Sequence, residues 1–495
     1  MPIMDEPTSL DPQIADSNSE KLVAANCYEG LVRIMADGTI GKGVATDWNI
    51  SDDGLTYTFK LRNNSHWAMF SGHKAVLGEN YEDTFDITVK AEDFKFGIER
   101  TLSEQTGSAD APLFAAVKSI STPDDFTIVF NLSYADDNFL YALTNPGAMP
   151  CDEEFFNLTN GKYGLDAKYL LCNGPFHVSK WTEKTSVKLA KNNEYNGESS
   201  VSPSSVTFYI NNDDSEVADK MNSVTYDVAF LSSSQFSSIE NKKDLNSVAV
   251  QNVTYSFIFN QNDNNYRNKN MRLAFCRSCD TSSLFDSQSD ISKADGIVPP
   301  SCKIGGEDYR NGNAAELLSY DETLAKKNFN DALLELGSSS VETTILCTEQ
   351  YESFVKQMVQ KLQKTLGVKF VSTVKVVSES DLEAAVNDGN YSVAFYPFKA
   401  KSSFAGEIIE GFDQNNIFGY ESDVLSQKIR NIKNNSGSLE GERSAVADAE
   451  NYLVSEAVIM PVFYENSYFV TSKKTSGIYF YSSADNVFFI NSKKS

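Results

Sequence analysis

The pattern from residue 321 onward leaves few folds open. Helical runs occupy 321–336 and 351–366, and each stops at a glycine, Gly337 and Gly367. Glycine is the residue that most easily takes the left-handed turn ending a helix. A strand-prone run follows each helix, at 341–347 and 368–376. Helix 380–387, strand 391–396 and helix 442–457 continue the alternation. Strands alternating with helices build a sheet covered on its faces by helices, so this half reads as an α/β domain.

One such domain does not use up 495 residues, and the length fits two or three domains. The first half is richer in strands. Leu55, Tyr57, Phe59 and Leu61 alternate along 55–62 and share one face of a strand. A second strand spans 126–132, and others fall at 186–190, 205–210 and 226–231. The run 253–259 is almost wholly β-prone or apolar, as in a strand buried on both faces. Residues 91–100 read as a helix with Phe94, Ile98 and Leu102 along one stripe. Asp37-Gly38 and Asp52-Asp53-Gly54 mark turns. No repeat of fixed period is visible.

Charge narrows the partners. The formal net charge is −25, with 43 Lys and Arg and no basic run, which argues against nucleic acid. No stretch of 18 apolar residues exists to span a membrane. There is no signal peptide. Yet Met1-Pro2-Ile3-Met4 followed by Asp5-Glu6-Pro7 reads as a start placed just inside a mature domain, so the missing signal says little against export. Seven scattered cysteines are an odd number and do not form a disulfide scaffold. They read mainly as free, buried thiols, with one bridge such as Cys151–Cys172 as the alternative.

Short motifs for chemistry are weak. His66 and His73 are the only local histidine pair, and zinc would need at least two more ligands. Cys276 and Cys279 lie one turn apart in a helical run, where they read as small core residues. Ser353-Phe-Val-Lys356, Tyr464-Glu-Asn466 and Lys474-Thr-Ser-Gly477 approach the motifs of a penicillin-recognising serine hydrolase. However, Ser353 and Lys356 lie on the polar side of a helix whose apolar face is Phe354, Met358 and Leu362. The other two motifs are too close in sequence to form separate walls of a cleft. No P-loop or G-x-S-x-G occurs. None of these patterns holds up as a catalytic, metal or cofactor site.

Two further stretches stand out. Tyr28-Glu29-Gly30-Leu31-Val32 follows an apolar helical run and reads as a chain reversal, with Gly30 free to take positive φ or to admit a close backbone. In 391–401 a strand runs into Pro397 between aromatics, then into Lys399 and Lys401. Aromatics at a strand end form either a pocket wall or a packing layer.

In order along the chain, several segments resemble the extracellular solute-binding proteins of the oligopeptide and dipeptide class, family 5, which serve ABC importers. Ser9-Leu10-Asp11-Pro12 is similar to the opening "sLDP" of that family, and Tyr28-Glu29-Gly30-Leu31 to its "yEgL". Asp53 to Arg62 with Trp67 resembles "dGltytF-LR…kW", and Lys90-Ala91-Glu92-Asp93-Phe94 with Arg100 resembles "tAeDv…R". Asn173-Gly174-Pro175-Phe176 resembles "GtGPY", and Asn192-Asn193-Glu194-Tyr195 resembles "rNpdYw". Phe259-Asn260, then Met271-Arg272-Leu273-Ala274-Phe275 and Asp280, resemble "fN…vRqAl…aiD". Gly296 to Pro300 and Pro461 to Tyr464 fit late patterns. An insertion carrying Tyr81 and Phe85 separates Trp67 from Ala91. The segment 397–403 departs from the family's "gW-aDy-dP", placing Lys401 where peptide binders carry the Asp that pairs with a ligand α-amino group. A lysine there repels a free amino terminus and favours a carboxylate, either a ligand's or that of Glu29.

The resemblance implies an α/β, two-lobed periplasmic-binding-protein-like fold (type II, cluster C) with an extra inserted subdomain. Lobe I would comprise 1–40, 163–250 and 466–495, the strand-rich subdomain 41–162, and the α/β lobe II 251–465. It implies hinged capture of an oligopeptide-like solute and delivery to permease subunits. It also implies a monomer outside the cell membrane or in the periplasm, held to the membrane only by a lipid anchor. The expected ligand-binding residues are Tyr28, Glu29, Gly30, Leu31, Val32, Asn173 and Gly174, with Tyr396, Phe398 and Lys401 on the other lobe. A sugar or metal chelate is the competing ligand, which three His and three Trp disfavour. A surface sensor or chaperone on the same fold is the alternative outside transport.

Overall fold

The computed structural model describes residues 1–35, 39–136, 138–197, 199–281, 284–285, 290–399, 404–413, 416–435, 438–481 and 487–495, with the side chains of Glu82 and Asp83 outside the description. The chain divides into two compact units, Met1–Ala249 with Tyr468–Ser495, and Val250–Ser467.

The first unit opens with helix α1 (Asn18–Cys27). Ser17 and Glu20 form a reciprocal capping box at its start, satisfying amides the first turn leaves open. The short strands β1 (Val32–Ile34) and β2 (Ile40–Lys42) pair next. A four-stranded antiparallel sheet follows, built from β3 (Ala45–Ile50), β4 (Thr56–Leu61), β5 (Val117–Asp124) and β6 (Thr127–Leu132) in the order β3-β4-β6-β5. Tyr57, Phe59 and Leu61 of β4 are buried, as their period of two requires. Between these strands lies α2 (Ala91–Leu102). Phe94 and Ile98 are buried there but Leu102 is partly exposed, and Gly97 and Thr101 complete the inner stripe instead. The reason is steric: a Cβ on Gly97 would meet the Met149 carbonyl at 2.3 Å, so the helix packs directly against backbone. A second sheet joins Pro2–Ile3 to β7 (Phe176–Thr182), β8 (Ser186–Lys191) and β9 (Ser205–Ile210).

Buried charge ties the start of the chain to α2. Arg100 donates to both carboxylate oxygens of Asp11, at 3.2 and 2.5 Å, and to Gln13 Oε1 at 2.6 Å. Its guanidinium also lies over the Phe156 ring at 4.1 Å. Two of the segments quoted above, Ser9–Pro12 and the one ending at Arg100, are thus halves of one bidentate contact. Farther on come α3 (Asp214–Asn222) and β10 (Val228–Ser232).

The chain passes between units inside two long strands, β11 (Leu245–Phe259) and, near its end, Ile459–Ser472. The second unit continues with α4 (Lys269–Ser278), α5 (Glu322–Leu336), β12 (Val341–Thr348), α6 (Glu352–Leu366), β13 (Phe370–Val377), α7 (Glu379–Asn387) and β14 (Val393–Lys399). It closes with α8 (Asp423–Asn434), α9 (Leu439–Ser455) and β15, the strand Ile459–Ser472. Its strand order is β15-β11-β14-β12-β13. β12 runs parallel to β13 and β14, and β11 antiparallel to β14. Gly337 takes φ 62°, the left-handed cap its position predicts.

Both faces of this sheet are covered. Phe257 and Phe259 of β11 enter one core with residues of α4, α5 and α6, whereas Ile258 enters the other with residues of α7, α8 and α9. The α/β expectation for this half holds. Helix α8 went unread in the sequence because its polar residues, Lys and Asn above all, mask Leu425, Ile429 and Ile432. The 14 residues of β15 were represented only by Pro461–Tyr464. In α6, Ser353 is exposed and Lys356 pairs with Glu352 at 2.6 Å. Tyr464 is buried, and its hydroxyl accepts from the Asp295 amide at 3.0 Å. No hydrolase constellation forms from these groups.

Candidate functional site

In the first unit, four of the quoted segments meet at Glu29. Its carboxylate is buried and bound by the Arg62 guanidinium, and Tyr195 Oη donates to Glu29 Oε1 at 3.0 Å. The Glu29 amide donates to Asn173 Oδ1 at 3.1 Å, and Asn173 Nδ2 returns a bond to the Glu29 carbonyl at 2.8 Å. Gly174 N donates to the Cys27 carbonyl at 2.9 Å, and Asn192 Nδ2 donates to the Gly174 carbonyl at 2.9 Å. Arg62 also donates to the Gly43 carbonyl at 2.6 Å. So Tyr28–Leu31, Arg62, Asn173–Gly174 and Asn192–Tyr195, far apart in sequence, interlock.

This geometry changes the reading of several residues. The Glu29 carboxylate is held by Arg62 and Tyr195. Tyr28 caps α1 and its hydroxyl lies 3.4 Å from that of Tyr163. Tyr28–Leu31 is irregular backbone, and only Val32 belongs to a strand. Gly30 does not use the left-handed region. It is needed for close approach, since a Cβ there would lie 3.0 Å from the Val32 carbonyl and 3.2 Å from the Leu143 carbonyl. The Leu31 carbonyl accepts from Gly43 and Ala45, and that of Gly30 from Val44. A cavity of about 70 Å³ opens beside the segment, lined by Tyr28, Glu29, Gly30, Val32, Lys21 and Arg33 among others. At roughly 10–15 Å³ per water it has room for several waters.

In the second unit, β12, β13 and β14 are parallel, so their C-terminal ends share one edge of the sheet. Open α/β sheets take ligands at that edge. Tyr396 and Phe398 lie there on β14, opposite Ser256 and Thr254 of β11. Phe398 stacks on Phe412 at 5.7 Å and 16° and is largely part of a packing layer. Tyr396 is half-buried. Lys401 lies outside the described residues, as does the turn at Asp37-Gly38.

The same edge carries a cluster that the sequence reading missed. Tyr351 Oη donates to Glu465 Oε1 at 2.5 Å, and Gln350 Nε2 lies 3.3 Å from the same oxygen. The Tyr255 ring packs on Tyr351 at 4.4 Å. Burial raises the Glu465 carboxyl above its ordinary range, with the Tyr351 and Gln350 hydrogen bonds opposing it. Glu465 directly follows the quoted Pro461–Tyr464 segment, and Gln350-Tyr351 lie in the turn Glu349–Tyr351 that follows β12, which is the one signal that pointed here.

The remaining motifs are structural. His73 is buried, with Nε2 3.1 Å from the Leu170 carbonyl, whereas His66 makes an isolated bridge with Thr88. Among the described residues no group of three or more His, Cys, Asp or Glu is placed to hold a metal ion. Cys276 is in α4 and Cys279 just past its end, both in the core. Cys151 lies 3.5 Å from Arg100 Nη1, and Cys172 interacts with the Cys27 thiol, while all seven cysteines are free. No described helix is long and apolar enough to cross a membrane.

The fold is that of two-lobed solute-binding proteins. Over all of this chain it matches Listeria monocytogenes OppA bound to peptide, with a TM-score of 0.76 at 21% identity and 98% of that chain covered. It likewise matches a dipeptide-binding protein from Pseudoalteromonas in complex with Met-Leu, with a TM-score of 0.78 at 17% identity and 99% of that chain covered. The family model for bacterial extracellular solute-binding proteins, family 5, matches residues 39–418, and the chain belongs to that family. Among curated relatives, the dipeptide-binding protein DppE of Bacillus subtilis is 24% identical over 496 residues, 96% of this chain and 88% of that protein. The probable D,D-dipeptide-binding periplasmic protein DdpA of Escherichia coli is 22% identical, covering 98% of this chain and 92% of that protein.

Proposed function

We propose that this chain is the substrate-binding component of an ABC importer, capturing an oligopeptide-like solute and delivering it to membrane permease subunits. One observation carries the reading. A member of an extracellular solute-binding family presents, at the ligand-taking edge of its α/β sheet, hydrogen-bonding groups and aromatic rings: Tyr255, Gln350, Tyr351, Tyr396 and Glu465. Such a set suits a polar backbone with varied side chains. Curated relatives named for dipeptide or oligopeptide binding support the ligand class. The chain acts by binding and release, without bond chemistry, metal or cofactor, as a monomer outside the cell membrane or in the periplasm, held by a lipid anchor. The division into 1–40, 163–250 and 466–495, with 41–162 inserted and 251–465 as the second lobe, belongs to the same proposal.

Within this reading Tyr28–Val32 and Asn173–Gly174 form a rigid floor that supports ligand contacts. Tyr396 and Lys401 contribute to selectivity. The test is mass spectrometry of what copurifies with the native protein, followed by calorimetry with the recovered species. A ladder of short peptides is the expected result. A single sugar or metal chelate, or no binding by any recovered peptide, overturns the peptide reading.

A further inference from the structure

All seven cysteines are buried and none is bridged. One pair stands apart from the rest. Cys27 is the last residue of α1 and is 0% exposed, while Cys172 is 1% exposed and immediately precedes Asn173. Burial first, then interaction with the Cys172 thiol, holds Cys27 well above the usual thiol range. The backbones on either side are tied together. Gly174 N donates to the Cys27 carbonyl at 2.9 Å, and Asn173 exchanges two hydrogen bonds with Glu29. The approach is so close that a Cβ on Gly174 would lie 2.6 Å from the Cys27 carbonyl carbon. The Cys172 carbonyl is held in turn by the Ala68 amide at 2.7 Å.

We propose that Cys27 and Cys172 are a disulfide site, closed when the chain folds in an oxidising compartment. The oxidant is a small-molecule or protein disulfide such as oxidised glutathione. One cysteine thiolate attacks it, forming a mixed disulfide and releasing one thiolate. The second cysteine then attacks the sulfur of the first and expels the other thiolate. Two thiols thus lose two protons and two electrons, and the oxidant's disulfide becomes two thiols. A thiol that is fully buried and kept protonated does not react, so the bridge forms before this region closes. Oxidation locks the end of α1 to Asn173–Gly174 and so stiffens the scaffold around Glu29.

The full chain is reduced, denatured and refolded in a buffer of reduced and oxidised glutathione, acid-quenched, alkylated while denatured, and mapped by mass spectrometry. The expected result is one dominant cross-linked pair of peptides containing Cys27 and Cys172. Five thiols are alkylated where the fully reduced chain offers seven. In Cys172→Ser the cross-link is lost and Cys27 becomes alkylated. Seven alkylated thiols in the refolded wild type, or a dominant bridge between any other pair, overturns the proposal. The wild-type map decides even if the variant fails to fold, and it does so whatever the ligand.

Discussion

Replacing Glu29 by Gln tests whether the interlocked segments are held by charge. The side chains of Glu29 and Arg62 are 4% and 12% exposed. Their attraction is therefore little screened, and the loss of one partner leaves the other desolvated. Breaking a buried pair in this way costs about 3–5 kcal/mol. Glutamine keeps the shape and an acceptor for Tyr195, so the loss falls mainly on Arg62, which retains the Gly43 carbonyl and Ser65 Oγ. In a unit of this size that corresponds to a drop in melting midpoint of roughly 6–10 °C. The assay is thermal and urea unfolding of wild type, Glu29→Gln, Arg62→Met and the double variant. The double variant should lose much less than the two singles together, because the charge is then absent from both sides. A cost for Glu29→Gln below about 1 kcal/mol, or additive single costs, would refute the claim that this pair organises the site.

Other expectations follow from the same physics. Burial lowers the His73 pKa from 6.5 to about 4. A depressed pKa means the unfolded state takes up the proton first, so stability is intact above pH 6.5 and falls as pH drops towards 4, by roughly 3 kcal/mol in all. His73→Gln should flatten that slope in urea melts across this window, and an unchanged slope would exclude His73 as its source. In the second unit, the buried Glu450 accepts from the Ile297 and Val298 amides at 2.7 and 3.0 Å and from Tyr309 and Arg310. Glu450→Ala should destabilise by about 3–5 kcal/mol, and a loss under 1 kcal/mol in urea melts would contradict it. Lys401→Asp should shift ligand preference in calorimetry from N-acetylated towards free-amino peptides; identical selectivity would remove Lys401 from the proposal.

Much of the architecture is legible along the chain because it is local. The glycine stops of α5 and α6 and the period of two in β4 are backbone and solvation effects within about 15 residues. The ordered segments, taken as a resemblance, named the family that the match over 39–418 establishes. They could not say what each segment does. Arg100 and Asp11, or Glu29 and Arg62, are ordinary charges until the fold places them together out of water.

The sequence by itself determined the helix and strand alternation of the second half, the strand character of the first, and a formal net charge of −25. Tertiary structure decided the roles. It made Glu29 a buried ion-pair partner, turned Gly30 into a point of close packing, put Phe398 into an aromatic layer and set Cys172 beside Cys27. It also gathered Gln350, Tyr351 and Glu465 at one sheet edge. Side-chain pattern sets local conformation through short-range sterics and burial, whereas the cost of removing a charge or a thiol from water depends on neighbours that only the fold brings together, 33 residues away for Glu29 and Arg62 and 89 for Asp11 and Arg100.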